Sequence, residues 1–171
     1  MRAKQVTLSL AAACVALALS VYSWAQSSKR SGCLCGAQEK KFFSCRTAGG
    51  KSIALCGRSD GLIQYRFGTR QKVELQFPPD ASQTLRYAGY MRSQTENYEI
   101  SFSVSNATYT VFDYMEEGER AAGVRVTKSD GTEAVMKCDG KFVSRLAELE
   151  SHLPCDKDNA LNLGGCEQRA P

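Results

Sequence analysis

Histidine is nearly missing from this chain: among 171 residues His152 is the single imidazole. Nucleophilic catalysis by Ser or Cys usually needs a neighbouring base. His152 instead sits beside Leu153-Pro154-Cys155 at the end of a helix-like run, where a partly cationic ring caps or lies on the surface. One histidine also excludes H-E-x-x-H, and no Walker-type glycine loop occurs. No basic stripe or RNA-binding motif stands out, so nucleic acid is not an expected partner. Internal repeats and low-complexity stretches are absent. Cys33-Leu34-Cys35 lacks C-x-x-C spacing, and C-x-C-x9-C-x10-C matches no common zinc ribbon. No metal, cofactor or redox centre is expected. With 43% hydrophobic and 23% charged residues, the chain is too apolar for disorder and too polar for a polytopic membrane protein.

What the sequence does contain begins with an address. Arg2 and Lys4 precede an apolar stretch from Val6 to Val21, and Ser23-Trp24-Ala25 leads into polar Gln26-Ser27-Ser28. That pattern predicts a signal peptide over 1–25, since the apolar run is shorter than the ~20 residues that span a bilayer. Neither Cys14, inside the apolar core, nor Cys33, after Arg-Ser-Gly, has a lipobox setting. Export to the periplasm or medium is expected, with no membrane span after cleavage. Losing Arg2 and Lys4 leaves 20 basic against 18 acidic residues.

Export makes the cysteines disulfide candidates. Removing Cys14 leaves seven. A hairpin around Gly50 would set Cys45 opposite Cys56, and Cys138 after a strand-like run could staple Cys155 after a helix-like one. Of Cys33, Cys35 and Cys166, two could tie the tails together and one is left over.

After a polar segment over 26–39, hydrophobicity alternates with period two. Ile63-Tyr65-Phe67, Val73-Leu75-Phe77, Ile100-Phe102-Val104 and Val124-Val126 each mark a dry face. Gly49-Gly50, Ser59-Asp60-Gly61, Pro78-Pro79-Asp80, Glu117-Gly118 and Asp130-Gly131 supply the turns. The runs predict eight or nine strands, about 41–47, 52–56, 62–68, 72–77, 84–92, 96–105, 107–114, 121–128 and 132–138. The expected fold is all-β: one antiparallel meander over 40–156 curled into a small barrel. Val143, Leu146, Leu149 and Leu153, stopped by Pro154, predict one helix that plugs or flanks it. Residues 157–171 read as an irregular tail.

With Ile100, Phe102 and Val104 inward, Ser101, Ser103 and Ser105 point outward, followed by Asn106, Tyr109 and Tyr114. Small hydroxyl residues with tyrosines suit an adaptable protein-binding surface. Glu116, Glu117 and Glu119 add a negative patch, which calls for a partner with a basic patch. Asn106-Ala107-Thr108 is formally a glycosylation sequon, relevant in a eukaryotic source. The acidic cluster with Asp113 also admits a hydrolase built on paired carboxylates, and a barrel admits a carrier of a small apolar ligand.

Ser103-Val104-Ser105-Asn106-Ala107-Thr108-Tyr109, followed by Tyr114-Met115-Glu116-Glu117-Gly118, resembles the paired motifs of bacterial periplasmic and membrane-bound inhibitors of c-type lysozyme. Their first motif is similar to S-G-S-G-A-x-Y and their second contains Y-x-x-K-G. The resemblance implies a small disulfide-bearing antiparallel barrel whose loops enter an enzyme cleft. Spacing is shared, but Val104 and Asn106 stand where that family has glycines, and Glu117 replaces its lysine. A glutamate would repel the catalytic carboxylates of lysozyme. The resulting expectation is an exported, non-catalytic binding protein of the inhibitor or immunity type.

Overall fold

The computed structural model describes residues 34–162 and 165–166. The expected signal peptide, Cys33 and the last five residues lie outside them. Ten strands follow in chain order: β1 Lys40–Arg46, β2 Ser52–Gly57, β3 Ile63–Gly68, β4 Val73–Phe77, β5 Arg86–Arg92, β6 Thr95–Val104, β7 Ala107–Glu116, β8 Glu119–Lys128, β9 Glu133–Lys137 and β10 Val143–Ser144. They form two antiparallel five-stranded sheets, ordered β10-β1-β2-β3-β4 and β5-β6-β7-β8-β9. The meander is present, but it does not close into the expected barrel. Pro78 and Pro79 follow β4 and cannot donate to a ladder, so pairing stops there and restarts at β5.

One core lies between the sheets. Phe43, Ile53, Leu55 and Tyr65 of the first sheet are fully buried with Ile100, Val111 and Val124 of the second. Burying each large apolar side chain contributes about 1.5–3 kcal/mol. Phe102 stacks on Phe77 and on Tyr109 at centroid distances of 4.6 and 5.1 Å, while Tyr65 tilts against it at 4.9 Å. Of the expected dry face, Ile63, Phe77, Ile100, Phe102 and Val124 are buried, and Phe67, Leu75 and Val104 pack against them. Val73 is instead 43% exposed. A register shift at Phe67/Gly68 turns it outward.

The expected helix is absent. Val143 and Ser144 pair with β1, and Val143 is 40% exposed. Only Leu146–Leu149 coils, as one turn of 3-10 helix that buries Leu146 and Leu149. Three-residue spacing of leucines serves a 3-10 turn as well as an α-helix, and Arg145 N–H is spent on Phe42 O at 2.7 Å rather than within a helix.

The four predicted disulfide cysteines are all bridged, with other partners: Cys35–Cys56, Cys45–Cys138 and Cys155–Cys166. Cys45–Cys56 and Cys138–Cys155 are therefore corrected. The β1–β2 turn closes with Thr47 N–H on Lys51 O at 2.8 Å, which sets Cys45 opposite Ile53 and Cys56 opposite Lys41. Two side chains so staggered cannot reach each other. Cys45–Cys138 joins the two sheets, whereas Cys35–Cys56 pins the N-terminal segment over β2. These bonds belong to an oxidising, extracellular-type compartment. No helix among the described residues is long and apolar enough to cross a membrane.

A polar groove on the outer face of the second sheet

Alternation along β6 and β7 sends two sets of side chains away from the core. Asn97, Glu99, Ser101 and Ser103 of β6 stand opposite Tyr114, Phe112, Thr110 and Thr108 of β7. Arg125 and Thr127 of β8 continue those rows. An outer face normally meets water, yet Glu99 is only 5% exposed. The C-terminal segment covers it. Tyr87 N–H donates to Pro154 O at 2.9 Å and Asp156 N–H donates to Tyr87 O at 2.8 Å, so Cys155 extends the sheet beside β5. The chain then turns over the face, where Ser101 hydroxyl donates to Asp156 and Asn159 Nδ2 donates to Glu99 Oε2 at 2.5 Å.

Glu99 is the hub. Its Oε1 accepts from Tyr114 hydroxyl and from Arg125 Nη2, the latter at 2.9 Å. A buried carboxylate needs such donors, because its desolvation is otherwise uncompensated. Burial, and then the bond to Glu99, push the Tyr114 hydroxyl well above its ordinary pKa of 10.0, so it stays a donor at neutral pH. Around this network lies a groove of about 820 Å³. Its charged lining is Arg86 and Arg125 against Glu99, Glu133, Asp156 and Asp158, a net negative surface.

The predicted binding residues divide by face and by end. Ser103 is exposed, its hydroxyl 3.2 Å from that of Thr108. Ser105 (φ 54°) and Asn106 make the β6–β7 turn. Tyr109 points the other way, into the stack on Phe102. Tyr114 lies on the outer face, half-buried. Glu116 is exposed and accepts from Asn97 Nδ2 at 2.9 Å. Glu117 and Gly118 (φ 52° and 88°) make the β7–β8 turn with the paired positive φ of a type I′ hairpin. The outer face thus unites Ser103, Tyr114 and Glu116, while the two turns stand about 30 Å apart along β7. Glu99, Arg125, Asp156 and Asn159 were not singled out from the sequence. Glu99 and Arg125 read as ordinary wet-face residues, and no spacing signals that a tail folds over them.

Other chemistry is spoken for. Cys35, Glu39 and Cys56 converge as metal-type ligands, but the two sulfurs are bonded to each other. Gly57-Arg58-Ser59-Asp60-Gly61 spells G-x-S-x-G, yet it joins antiparallel β2 and β3 rather than a strand and a helix, so no nucleophile elbow forms. Asp60 there accepts Leu62 N–H at 3.1 Å and pairs with Arg58 at 3.0 Å. His152 is exposed, its ring set edge-on to that of Phe42 with centroids 6.0 Å apart. No protein family, curated protein or solved structure matches this chain.

Proposed function

We propose that the chain is an exported binding protein of the inhibitor or immunity type, which engages a periplasmic or secreted protein through the outer face of β6–β8. The groove carries this reading. Its central ionisable groups are bonded to one another, which suits a rigid recognition surface better than a poised acid–base pair. The partner presents positive charge. Glu116 and Glu119 face each other directly across the β7–β8 ladder, and like charges so placed are unfavourable until a cation lies over them. Glu117, where the lysozyme inhibitors carry lysine, points the same preference toward a basic surface.

The test is affinity. The partner is isolated from envelope and culture extracts with the exported chain, then titrated against Glu116→Lys combined with Glu117→Lys. The expected loss is about tenfold or more, with weaker salt dependence. Equal affinity in parent and variant removes this surface from the reading. The four carboxylates lining the groove favour one second reading, a hydrolase using a carboxylate pair. Turnover of a glycan, peptide or lipid by the purified protein would establish it in place of the first.

A further inference from the structure

The second sheet has two edges, and they differ. The β5 edge is covered by Pro154–Asp156, which takes up the N–H and C=O of Tyr87. The β9 edge has no strand beyond it among the described residues. Cys138 N–H donates to Ala122 O at 2.8 Å and Lys128 N–H donates to Thr132 O at 2.9 Å. The register between these points is unbroken, from Gly123↔Lys137 to Thr127↔Glu133. Even-numbered residues therefore turn their backbone groups toward β8. Those of Glu133, Val135 and Lys137 point to the open edge.

The side chains on this edge form a pattern with its own symmetry. Glu133-Ala134-Val135-Met136-Lys137 exchanges acid for base when reversed about Val135. Val135 is 48% exposed, an unusual position for valine in an edge strand. Glu133 is held in place, accepting from Thr127 hydroxyl at 2.9 Å with Arg125 Nε 3.9 Å away.

We infer that β9 pairs antiparallel with β9 of a second copy of this chain, with the dyad at Val135. Two five-stranded sheets become one continuous sheet. Val135 then covers Val135, and each Glu133 stands opposite Lys137 of the other copy. The residues with outward backbone groups are the ones that meet, so about six main-chain hydrogen bonds close the edge. Register and direction are both selected. Parallel pairing sets glutamate beside glutamate and lysine beside lysine, and a two-residue slip leaves both ion pairs unmade. The contact is isologous and closes on itself, so it stops at a dimer. An interface of a few residues per copy gives a reversible, concentration-dependent association.

Sedimentation equilibrium of the exported chain from about 1 µM to about 1 mM is the measurement. The parent is expected to pass from monomer to dimer within that range. Glu133→Lys and Lys137→Glu alone each weaken association about tenfold or more. The double exchange Glu133→Lys with Lys137→Glu restores it, and an equimolar mixture of the two single variants associates. Val135→Pro, whose missing N–H lies on the open edge and not in the β8 ladder, stays monomeric while retaining its β circular dichroism. A parent that is monomeric throughout overturns the inference. So does a dimer that ignores charge reversal, or one that the exchange fails to restore.

Discussion

Asn159 donates its side-chain amide to the buried carboxylate of Glu99, 60 residues earlier in the chain. This bond, with the Ser101–Asp156 contact, converts a solvent-facing strand into the floor of a groove. It also makes β6, the tail and β8 parts of one polar network, since Glu99 accepts from Arg125 as well.

Breaking that network should be costly in a graded way. Arg125→Ala leaves the Glu99 charge without its cation. A fully buried pair loses 3–5 kcal/mol on such a change. Arg125 keeps 31% of its side-chain surface exposed, which brings the expectation down to about 1–3 kcal/mol. Tyr114→Phe removes one donor and should cost about 1–2 kcal/mol. Urea unfolding of both variants checks the order; equal stability of Arg125→Ala and the parent would show the carboxylate to be compensated otherwise.

The three disulfides should rank by the chain they enclose. Cys45–Cys138 spans 93 residues, Cys35–Cys56 spans 21 and Cys155–Cys166 spans 11. Chain-entropy arguments assign about 4–5 kcal/mol to the longest loop and about 3 kcal/mol to the shortest. Paired Cys→Ala variants followed by thermal and urea unfolding give the ranking. Loss of Cys155–Cys166 should also raise hydrogen exchange in 155–162 while sparing β1–β4. Uniform destabilisation without that local signature would place the tail outside the argument.

Much of this fold was readable because alternation is a local signal. Period-two runs gave the strands of both sheets, and Glu117-Gly118 and Asp130-Gly131 gave their hairpins. What alternation does not encode is where a meander splits. Closure depended on whether β4 could pair onward, and Pro78 answered through a missing donor. The disulfide pairs failed for a related reason. The β1–β2 register lies three residues from the one that would set Cys45 opposite Cys56, so Cys45 faces Ile53 and bonds to Cys138 across the core instead. The outer face of the second sheet was half legible. Ser103, Tyr114 and Glu116 fell on it by alternation, while Glu99 and Arg125 needed the tail above them to differ from any other wet-face pair.

Gly68 should tolerate no side chain. Its φ of 140° is a region L-residues rarely adopt, and a Cβ there would sit 2.3 Å from Lys72 O. The obstacle is backbone, so it cannot rotate away. Gly68→Ala should cost about 1–3 kcal/mol and loosen the β3–β4 pairing that carries Phe77 into the core stack. Near-ultraviolet circular dichroism and urea unfolding report both effects. A variant as stable as the parent would mean that the Thr69–Lys72 turn relaxes freely.

Acid should weaken the hold on the N-terminal segment. Glu39 accepts from both terminal nitrogens of Arg66, at 2.6 and 2.7 Å, and Arg66 also donates to Leu34 O at 3.0 Å. Both side chains are largely buried, at 17% and 13% exposure. The Arg66 hydrogen bonds hold the Glu39 carboxyl below its ordinary 4.5, against an opposing push from burial. A carboxyl whose folded pKa is depressed contributes stability that is fully present above the unfolded value. That contribution fades as pH falls from about 4.5 through the lower folded value, where the native ion pair must also be given up. Stability measured by urea unfolding should therefore decline as pH drops below about 4.5, and Glu39→Gln should be less stable at neutral pH but show a shallower decline. Parallel curves for the two proteins would mean that other carboxylates carry the acid sensitivity and that the Arg66 pair contributes nothing to it.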